Sequence, residues 1–488
     1  MEEPLHILIV GAGIASLTAA RELLSKPSSI IGSVTIVEAL GYVGGRIKSC
    51  DDFIPGGHRI DLGAEYIHGF ETLLTQVVDE KMEDWIELIS DAESDEVLED
   101  VFIVAHADGG PQKKPTKDGK YGLYYLAKED KLLPFDTDDE DFCQLTDALS
   151  KLEYESDKTD HITKSLGEYL EERVSIPDRM IGIMEAGFGN TAACTDLYKI
   201  SLSATSDFEK HWQENEVEGD ARLHSRIGMV GVVDALLDTL KNDKRFTIHL
   251  HWTVSEVHWG EKRMVISTNG EEIHADKIII TAPPPIITSN QIQFYPPLPQ
   301  WKIKAYNMVG MERAIKVLLR FKCRIWPENV QNVIVANMKI PEIWFREMHW
   351  KNVLGLQEDA YIAVGFLTSQ AADDLKSMLD NGLEAADIMK TELATIFKID
   401  EQIINEAYQS CVMFDWGEVE SIRGGYIYPK VGITKNDFHL MAKPIENILY
   451  WAGEATNTNA CCTIQSAMET GARVVDDILY DNFSCSSS

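Results

Sequence analysis

Two glycines near the beginning of the chain have the spacing of a phosphate-binding turn. Gly11 and Gly13 follow the apolar run HILIV, and Glu38 directly follows a second apolar run, SVTIV. Glycine lets the backbone approach a pyrophosphate, the amino end of the next helix favours its charge, and the acid can bind ribose hydroxyls. Ser16 stands where this pattern usually has a third glycine, and its small side chain still allows close packing. The spacing predicts a dinucleotide site, with a glycine turn that binds no ligand as the alternative.

A lysine and a histidine are further candidates for chemistry. Lys316 lies in the apolar run AIKVLLRF, where a buried amine would be costly without a partner. Strand alternation offers the other interpretation, in which Lys316 and Arg320 lie on a solvated face. His68 ends the stretch DLGAEYIH, and Glu65 in that stretch either attracts a cationic nitrogen or is an ordinary turn carboxylate. No Cys or His cluster has the spacing of a zinc site, so no metal is predicted.

The elements that must position these residues are predicted from hydrophobic periodicity. A strand at 6–10, a helix at 14–24 and a strand at 33–37 form a βαβ unit. Residues 160–245 have apolar groups at helical spacing, and the period then changes to that of strands. An AsnGly turn is expected at 269–270. Four further strands are expected at 277–282, 314–321, 360–367 and 408–416, and a closing helix at 466–480.

The charge balance excludes two classes of partner. The chain of 488 residues has 45 Lys and Arg against 79 Asp and Glu, a formal net charge of −34. Nucleic acids and anionic membranes are bound through an excess of Lys and Arg, so neither is expected. A cationic small ligand is compatible with this charge, and simple solubility is the alternative. The acidic runs 91–100 and 136–141 flank LysLysPro at 113–115, and we interpret 83–160 as a partly helical surface excursion.

Cysteine usage and the chain ends predict the compartment. Eight scattered cysteines without a CxxC pair indicate reduced thiols, so we expect a cytoplasmic protein. The beginning MEEPLHILIVGAG is acidic and does not have the pattern of a signal peptide. No run of about 18 apolar residues occurs, so no membrane span is expected. The end CysSerSerSer is not an SKL sequence, which makes a peroxisomal location less expected.

Four motifs occur together and in order along the chain: GAGIASLTAARELL from Gly11, VEAL with GGRI at 44–47, DLGAEYIHG at 61–69 and LYWAGEAT at 449–456. With these motifs the chain resembles the flavin-containing amine oxidases from residue 6 to about residue 479, and within them the polyamine oxidases that act on spermine or acetylpolyamines. The resemblance implies an α/β fold of mixed α+β type with two interleaved domains. The expected domains are a Rossmann-like FAD-binding domain of residues 1–82, 225–290 and 440–482, and a substrate domain on a mixed β-sheet with flanking helices, of residues 83–224 and 291–439.

The resemblance also implies bound FAD. Arg46 would support the phosphates, the backbone of Val254 would meet the adenine, and Thr463 would lie near the flavin ring. Tyr426 occupies the place where the monoamine oxidases carry a flavin-linking cysteine, so non-covalent FAD is expected. A flavin link through Cys461 or Cys462 is the alternative that the sequence leaves open. The residues expected to bind FAD are Gly11, Gly13, Ile14, Ala15, Ser16, Glu38, Gly44, Gly45, Arg46, Gly63, Ala64, Glu65, Val254, Trp416, Gly453, Glu454, Thr463 and Ile464.

For catalysis the resemblance implies two residues. His68 matches a histidine beside the bound amine, and Lys316 matches a lysine that holds a water against flavin N5. The residues expected to bind substrate are Glu65, Tyr66, Trp416 and Tyr426. One departure from the family concerns the segment after the GluAlaThr motif, where Ala460 and Cys461 stand in place of the usual aromatic residue.

The activity implied is oxidation of a polyamine or related cationic amine. Hydride transfer from the amine α-carbon to flavin N5 gives an imine, water hydrolyses the imine to aldehyde and amine, and O2 is reduced to H2O2. One alternative is an L-amino-acid or aromatic-amine oxidase, in which Arg313 or Arg423 pairs with a substrate carboxylate. Another is an FAD-binding protein without turnover that acts through a partner. The cleaved C–N bond stays open, as does the choice between monomer and homodimer.

Overall fold

The computed structural model describes residues 3–69, 72–90, 102–105, 121–155, 158, 161–174, 178–214, 220–352 and 354–485. The acidic run 91–100 and LysLysPro at 113–115 lie outside the described residues. The strands are β1 (Leu5–Val10), β2 (Ile31–Val37), β3 (Ser49–Cys50), β4 (Ile60–Asp61), β5 (Ile67–His68), β6 (Phe102–Ala105), β7 (Tyr121–Leu126), β8 (Lys131–Pro134), β9 (Asp220–Leu223), β10 (Phe246–His249), β11 (Val254–His258), β12 (Met264–Ser267), β13 (Glu272–His274), β14 (Lys277–Ile280), β15 (Gln293–Tyr295), β16 (Val309–Met311), β17 (Ala314–Phe321), β18 (Val330–Ala336), β19 (Glu342–Lys351), β20 (Gln357–Thr368), β21 (Tyr408–Asp415), β22 (Ile427–Pro429) and β23 (Leu449–Trp451).

The helices alternate with these strands. They are α1 (Ile14–Leu24), α2 (Leu73–Glu80), α3 (Met82–Ser90), α4 (Glu140–Leu149), α5 (Leu166–Val174), α6 (Asp178–Met184), α7 (Leu202–Glu214), α8 (Val230–Leu240), α9 (Pro284–Thr288), α10 (Gln300–Asn307), α11 (Ser369–Asp380), α12 (Ala385–Phe397), α13 (Glu401–Ala407), α14 (Lys435–Ala442) and α15 (Ile464–Cys485). A π-helix, Glu185–Ala192, continues α6. The fold class is α/β of mixed type, as predicted. No helix within the described ranges is long and apolar enough to cross a membrane.

A parallel five-stranded sheet has the order β10-β2-β1-β14-β23. Because successive side chains of a strand point to opposite faces, the apolar run of β1 supplies two cores. Ile7 and Ile9 pack on one face with α1, α8 and α15, while Leu8 and Val10 pack on the other face. Its strands lie within the ranges 1–82, 225–290 and 440–482 that the resemblance implies for an FAD-binding domain.

A seven-stranded sheet has the order β21-β17-β20-β19-β18-β7-β8, in which only β7 and β18 pair in parallel. Its register places Lys316 of β17 beside Phe366 of β20, and Phe366 beside Glu342 of β19. Residues in direct register share a face of the sheet. The three side chains therefore form one row across three strands, on the face that lines the cavity described below.

The prediction that 83–160 is only a surface excursion is wrong for its second half. Strands β7 and β8 form one edge of the seven-stranded sheet, and Tyr124, Tyr125 and Phe142 are buried. Tyr124 stacks on Phe142 with ring centroids 4.2 Å apart. The acidic composition misled the prediction because the acidic residues flank these apolar side chains without separating them in space.

Other elements have the predicted type, but they begin or end at different residues from those predicted. The closing helix begins at Ile464 and ends at Cys485, so it is longer than predicted, and the strand expected at 277–282 ends at Ile280. The prolines that follow this strand begin α9, with proline in the first helical turn, where its missing N–H has no helical partner to lose. The AsnGly turn is present, with Gly270 at φ +82°.

Candidate active site

A large cavity of about 1920 Å³ lies against the carboxyl ends of β1 and β2 and the face of the seven-stranded sheet. The βαβ turn and the row containing Lys316 both line it. Ligands of open α/β sheets bind in this position, beyond the carboxyl ends of the strands. The two groups of residues singled out from the sequence therefore meet in one space, although distant segments supply them.

The turn between β1 and α1 has the geometry of a phosphate site. Gly11 has φ +101°, and a Cβ there would lie 2.5 Å from Thr281 Oγ1, so glycine is required. Gly13 begins α1 with open space where a Cβ would be, on the cavity wall. Ser16 is the exception to the predicted set, because its Oγ lies 2.9 Å from Thr281 Oγ1 and the residue does not line the cavity.

Glu38 is held at the end of β2 by two backbone donors. Its carboxylate accepts hydrogen bonds from the Ala12 N–H at 2.6 Å and the Leu40 N–H at 2.8 Å. Burial raises the pKa of Glu38, and the hydrogen bonds from Leu40 and Ala12 oppose this effect. The carboxylate is thus fixed against the glycine turn on the cavity wall, where ribose hydroxyls could reach it.

The second glycine site is joined to the motif near the carboxyl end. Arg46 donates to Glu454 Oε1 at 2.9 Å and to the Gly425 carbonyl at 2.8 Å. Glu454 Oε2 accepts from the Cys462 N–H at 3.3 Å. Gly44 and Gly45 precede this arginine with positive φ angles of 117° and 61°. The remaining predicted FAD residues line the same cavity: Ile14, Ala15, Gly63, Ala64, Glu65, Val254, Trp416, Gly453, Thr463 and Ile464.

These residues fit a flavin dinucleotide. The cavity wall has a glycine turn before a helix, a fixed acid beside it and an Arg46–Glu454 pair further along. Trp416 donates from Nε1 to the Leu62 carbonyl at 2.9 Å, which holds its ring against Gly63. A long ligand with a ribose, a pyrophosphate and a ring matches these polar groups in order.

Lys316 and Glu65 belong to a buried ionic cluster. Lys316 Nζ lies 2.7 Å from Glu65 Oε2 and donates to the Asp61 carbonyl at 3.2 Å. Glu65 Oε1 lies 2.9 Å from Arg222 Nε and 3.3 Å from an Arg346 terminal nitrogen. Burial would raise the pKa of Glu65, but the three cations outweigh it and lower this pKa to about 2. Glu65 therefore pairs with protein cations through both oxygens.

Neither arginine of this cluster is predicted from the sequence. Arg222 lies in β9, which pairs with β5 beside His68, and Arg346 lies in β19. The available signal was an arginine in the apolar run EIWFRE, comparable to the lysine in AIKVLLRF. A buried cation in a strand requires a partner, but the sequence does not say which of many carboxylates supplies it.

Aromatic rings form the wall beside this cluster. The Tyr66 ring lies 6.3 Å from the His68 ring and 6.1 Å from the Trp344 ring. His68 stacks on Trp212 of α7 at 5.7 Å, and Trp344 contacts Phe366 at 5.6 Å. All five side chains line the cavity. The sequence pointed to Tyr66 and His68 and missed the rings of Trp212, Trp344 and Phe366.

Tyr426 lies on another part of the wall. Its hydroxyl donates to the Thr191 carbonyl of the π-helix, and burial raises the pKa of Tyr426 well above its ordinary value. Ala460 and Cys461 also line the cavity, so the usual aromatic position near the GluAlaThr motif remains without a ring. The rings of Trp344 and Trp212 come from β19 and α7, outside the motifs that carry the resemblance.

Glu342 is a buried carboxylate on the same wall with only neutral partners. It accepts hydrogen bonds from the Thr191 hydroxyl and from Asn332 Nδ2, the latter at 3.0 Å. Burial raises the pKa of Glu342, and Thr191, Asn332 and the charge of Arg222 oppose the rise. Among the residues that the structure describes, no Lys, Arg or His nitrogen pairs with this carboxylate. A carboxylate of this kind favours a cationic ligand group.

The two arginines considered for a substrate carboxylate do not reach the cavity. Arg313 pairs with Asp415, with Asp373 at 3.0 Å and with Glu418 at 3.1 Å. Arg423 is exposed and does not line the cavity. Of the described side chains on the wall, six are carboxylates and two are formal cations: Glu38, Glu65, Glu209, Glu342, Glu420 and Glu454 against Arg46 and Lys316.

Comparison with known proteins agrees with this geometry. The family model described as flavin containing amine oxidoreductase matches residues 14–479. Lysine-specific histone demethylase 1 homolog 3 of Arabidopsis thaliana is 26% identical over 524 residues, which cover 96% of this chain and 29% of that protein. Probable polyamine oxidase 4 of the same plant is 26% identical over 462 residues, covering 92% of this chain and 82% of that protein.

A solved structure has the same fold. The structure of wild-type putrescine oxidase bound to putrescine superimposes with a TM-score of 0.73 at 18% identity, covering 98% of this chain and 99% of that chain. The chain thus spans nearly all of this solved structure, whereas it spans less than a third of the histone demethylase above.

Proposed function

This chain belongs to the flavin-containing amine oxidoreductase family, and we propose that it is an FAD-dependent oxidase of polyamines or related amines that carry a second cationic nitrogen. The proposed products are an aldehyde, an amine and hydrogen peroxide.

We also propose that FAD is bound without a covalent link, because Tyr426 occupies the position that resembles the flavin-linking cysteine of other members. Release of all flavin by acid precipitation would support this, and flavin remaining on the polypeptide would contradict it.

Glu342 is the observation on which the substrate class rests. The register of β17, β20 and β19 puts Lys316 and Glu342 two strands apart, which separates their Cα atoms by about 10 Å. If Lys316 lies beside the reacting carbon, Glu342 would meet a group several carbons away. A primary ammonium would satisfy the buried carboxylate with charge-assisted hydrogen bonds. The excess of carboxylates on the cavity wall also favours a cationic substrate.

The chain's own residues would bind and orient this substrate. Bound FAD would accept a hydride equivalent from the amine carbon and pass its electrons to O2. The rings of Tyr66, Trp344 and Phe366 would exclude water and hold the alkyl chain, while an imidazole nitrogen of His68 would accept the proton of the reacting ammonium. Lys316 Nζ, held between Glu65 and the Asp61 carbonyl, would donate a hydrogen bond to the water that hydrolyses the imine.

Two other substrate classes receive less support. An amino acid requires a cation for its carboxylate, and Arg313 and Arg423 do not line the cavity. Arg222 and Arg346, which lie nearer, are paired with Glu65. The histone demethylase among the relatives suggests a methylated lysine in a peptide as the other candidate. No contact described above favours a peptide over a free polyamine, so the peptide enters only as a competitor in the test.

A peroxide-coupled assay tests the proposal. Purified protein with bound flavin is given spermine, spermidine, their acetyl forms, putrescine, a monoamine, an amino acid and a methylated-lysine peptide. Peroxide from the polyamines or the diamine is expected. Absence of peroxide from every compound would sink the proposal and favour a flavoprotein without turnover. Turnover of only the peptide or only the amino acid would show that this compound, and not a polyamine, represents the substrate class.

The Glu342→Gln variant tests the residue that carries the substrate class. Loss of a charge-assisted hydrogen bond costs about 1.5–3 kcal/mol, so KM for the diamine or polyamine should rise about 10- to 100-fold with a small change in kcat. KM for a monoamine of equal chain length should stay nearly constant. Glu420→Gln removes the same charge from an exposed part of the wall and is the matched control. Equal effects on diamine and monoamine would contradict the role of Glu342.

A further inference from the structure

Two adjacent cysteines line the cavity with their sulfur atoms in contact. Cys461 Sγ and Cys462 Sγ are 2.9 Å apart, and both residues belong to the cavity wall. Both are free thiols, with Cys461 buried and Cys462 half-buried. The sequence provides the pair, CysCys after Ala460, and with FAD bound non-covalently, as proposed above, the oxidation of amines gives it no task.

The backbone brings these sulfur atoms together. In an extended chain, successive side chains point to opposite sides, so neighbouring thiols are normally far apart. Cys462 has φ +74°, in the left-handed region that residues other than glycine rarely adopt. Such a conformation is strained and persists only where the surroundings hold it. Here it turns both thiols to one side.

The surroundings hold Cys462 at two atoms. Its thiol donates to the Ile427 carbonyl at 2.9 Å, and its N–H donates to Glu454 Oε2 at 3.3 Å. Ile427 directly follows Tyr426, while Glu454 pairs with Arg46. The pair is therefore joined both to the substrate wall and to the expected FAD site.

We propose that Cys461 and Cys462 are a redox-active vicinal dithiol that hydrogen peroxide closes to a disulfide. One sulfur attacks a peroxide oxygen, the O–O bond breaks and water leaves; the second sulfur then displaces the sulfenic oxygen as a second water. Two thiols lose two hydrogens and one H2O2 becomes two H2O. The sulfur atoms must approach by about 0.9 Å to reach a bond of about 2.05 Å. This proposal rests on the proposed function in one respect only, because amine oxidation would supply the hydrogen peroxide next to the two thiols.

Closure changes the wall on which it occurs. The disulfide has no S–H, so the Ile427 carbonyl loses its donor, and movement of Cys462 reaches Glu454 through the N–H contact. We expect amine turnover to fall as the disulfide accumulates. The pair would then inhibit the enzyme in response to its own product, hydrogen peroxide. The hydrogen bond with Cys461, together with burial, raises the pKa of Cys462 well above its ordinary value. The thiol therefore stays protonated, and closure should need many turnovers.

Peptide mapping under non-reducing conditions tests the proposal. Trypsin does not cleave between Lys443 and Pro444, so residues 436–473 form one tryptic peptide whose only cysteines are Cys461 and Cys462. The flavin-loaded protein is treated either with added H2O2 or with an amine that it oxidises. It is then alkylated and digested. The expected peptide is about 2 Da lighter than the reduced form, takes up no alkylating agent and regains both reactive thiols after dithiothreitol. Cys462→Ser should abolish the mass loss and leave Cys461 alkylated.

The two arms separate this proposal from the proposed function. Closure with added H2O2 but no peroxide from any amine would support the dithiol and contradict the oxidase. Turnover of amines without closure, even after added H2O2, would overturn the dithiol and leave the oxidase untouched. Oxidation of one cysteine to sulfinic or sulfonic acid, without the mass loss, would also overturn it. The Cys461→Ser and Cys462→Ser variants should keep their turnover through a course in which the unsubstituted protein slows.

Discussion

Glu65 illustrates how neighbouring charges decide what a single residue can do. The sequence suggested an acid that attracts the substrate, but its two oxygens lie against Lys316, Arg222 and Arg346. A carboxylate so paired stabilises the protein cations and has little attraction left for a ligand. The neighbouring Glu342, which the sequence did not single out, has neutral partners and keeps its capacity to bind a cation.

Replacing Glu65 with glutamine should destabilise the protein. Breaking a buried ion cluster by removing one partner costs about 3–5 kcal/mol, because the remaining cations lose their counter-charge. The free energy of unfolding, measured with urea at neutral pH, should fall by this amount. Glu420→Gln, which removes an exposed carboxylate, should change it by less than about 0.5 kcal/mol. An equally small effect of Glu65→Gln would show that the cluster is not stabilised by its acid.

The same carboxylate predicts a pH dependence. The pKa of Glu65 is lowered from 4.5 to about 2 on folding, so its contribution to stability is present above pH 4.5 and is lost as the pH falls towards about 2. Urea denaturation of the Glu65→Gln variant should therefore show a shallower loss of stability over this range than the unsubstituted protein. Parallel curves for the two proteins would contradict the assignment.

At the scale of elements, the β1–α1 turn separates two uses of glycine. Gly11 needs its positive φ and its lack of a side chain for the fold, whereas Gly13 has open space at its Cβ and faces the cavity. Alanine at position 13 should leave the fold intact and lower FAD affinity at least about tenfold, because the methyl group occupies the space of the ligand. Flavin content and apoprotein stability check this.

Alanine at Gly11 supplies the contrast. Its Cβ would lie 2.5 Å from Thr281 Oγ1 at φ +101°, so Gly11→Ala should lower the stability of the apoprotein by about 2 kcal/mol or more. If both variants lose flavin without a change in apoprotein stability, Gly11 serves the ligand alone. If Gly13→Ala destabilises the apoprotein, the space beside it is required by the fold.

Lys302 fixes the end of another element. It is fully buried in α10, and its Nζ donates to the carbonyls of Leu440, Met441 and Lys443 at 2.8, 2.9 and 2.6 Å. These carbonyls belong to the end of α14, where the last C=O groups have no helical donor. Burial lowers the pKa of Lys302 to about 6, so its amine caps the helix as a hydrogen-bond donor rather than as a charge.

Lys302→Met should destabilise the protein by about 3 kcal/mol, because it leaves three carbonyls of a buried helix end without their donor. Lys304→Met on the exposed side of the same helix is the control and should change the stability by less than about 0.5 kcal/mol. Thermal and chemical denaturation measure both, and equal stability of the two variants would refute the capping role.

At the scale of the molecule, the net charge of −34 and the carboxylates of the cavity predict a salt-dependent reaction. Salt shortens the Debye length from about 30 Å at 0.01 M to about 10 Å at 0.1 M, which weakens the attraction of a distant cation. For a substrate with several positive charges, kcat/KM should fall about tenfold between about 0.01 and 0.3 M salt. For a monoamine the fall should be under about threefold, and equal dependence for both would contradict long-range attraction.

The sequence alone determined the features that depend on short segments. Glycines at fixed distances from a strand and an acid specify a phosphate-binding turn, because a glycine acts locally, through its own backbone conformation and its lack of a side chain. The apolar runs of β1 and β17 specify buried strands because burial follows from composition. The acidic content of 83–160 was a poor guide, because strand pairing depends on the partner strand, β18, as much as on the segment itself.

Only the tertiary structure decided which charges meet. Lys316 lies 251 positions from Glu65 and Arg346 lies 281 positions from it, so no local pattern links them. The register of three strands put Glu342 in line with Lys316, and a one-residue shift would have turned Glu342 to the other face. The CysCys pair is visible in the sequence, but the contact of its sulfur atoms depends on the φ angle of Cys462 that the surrounding chain imposes.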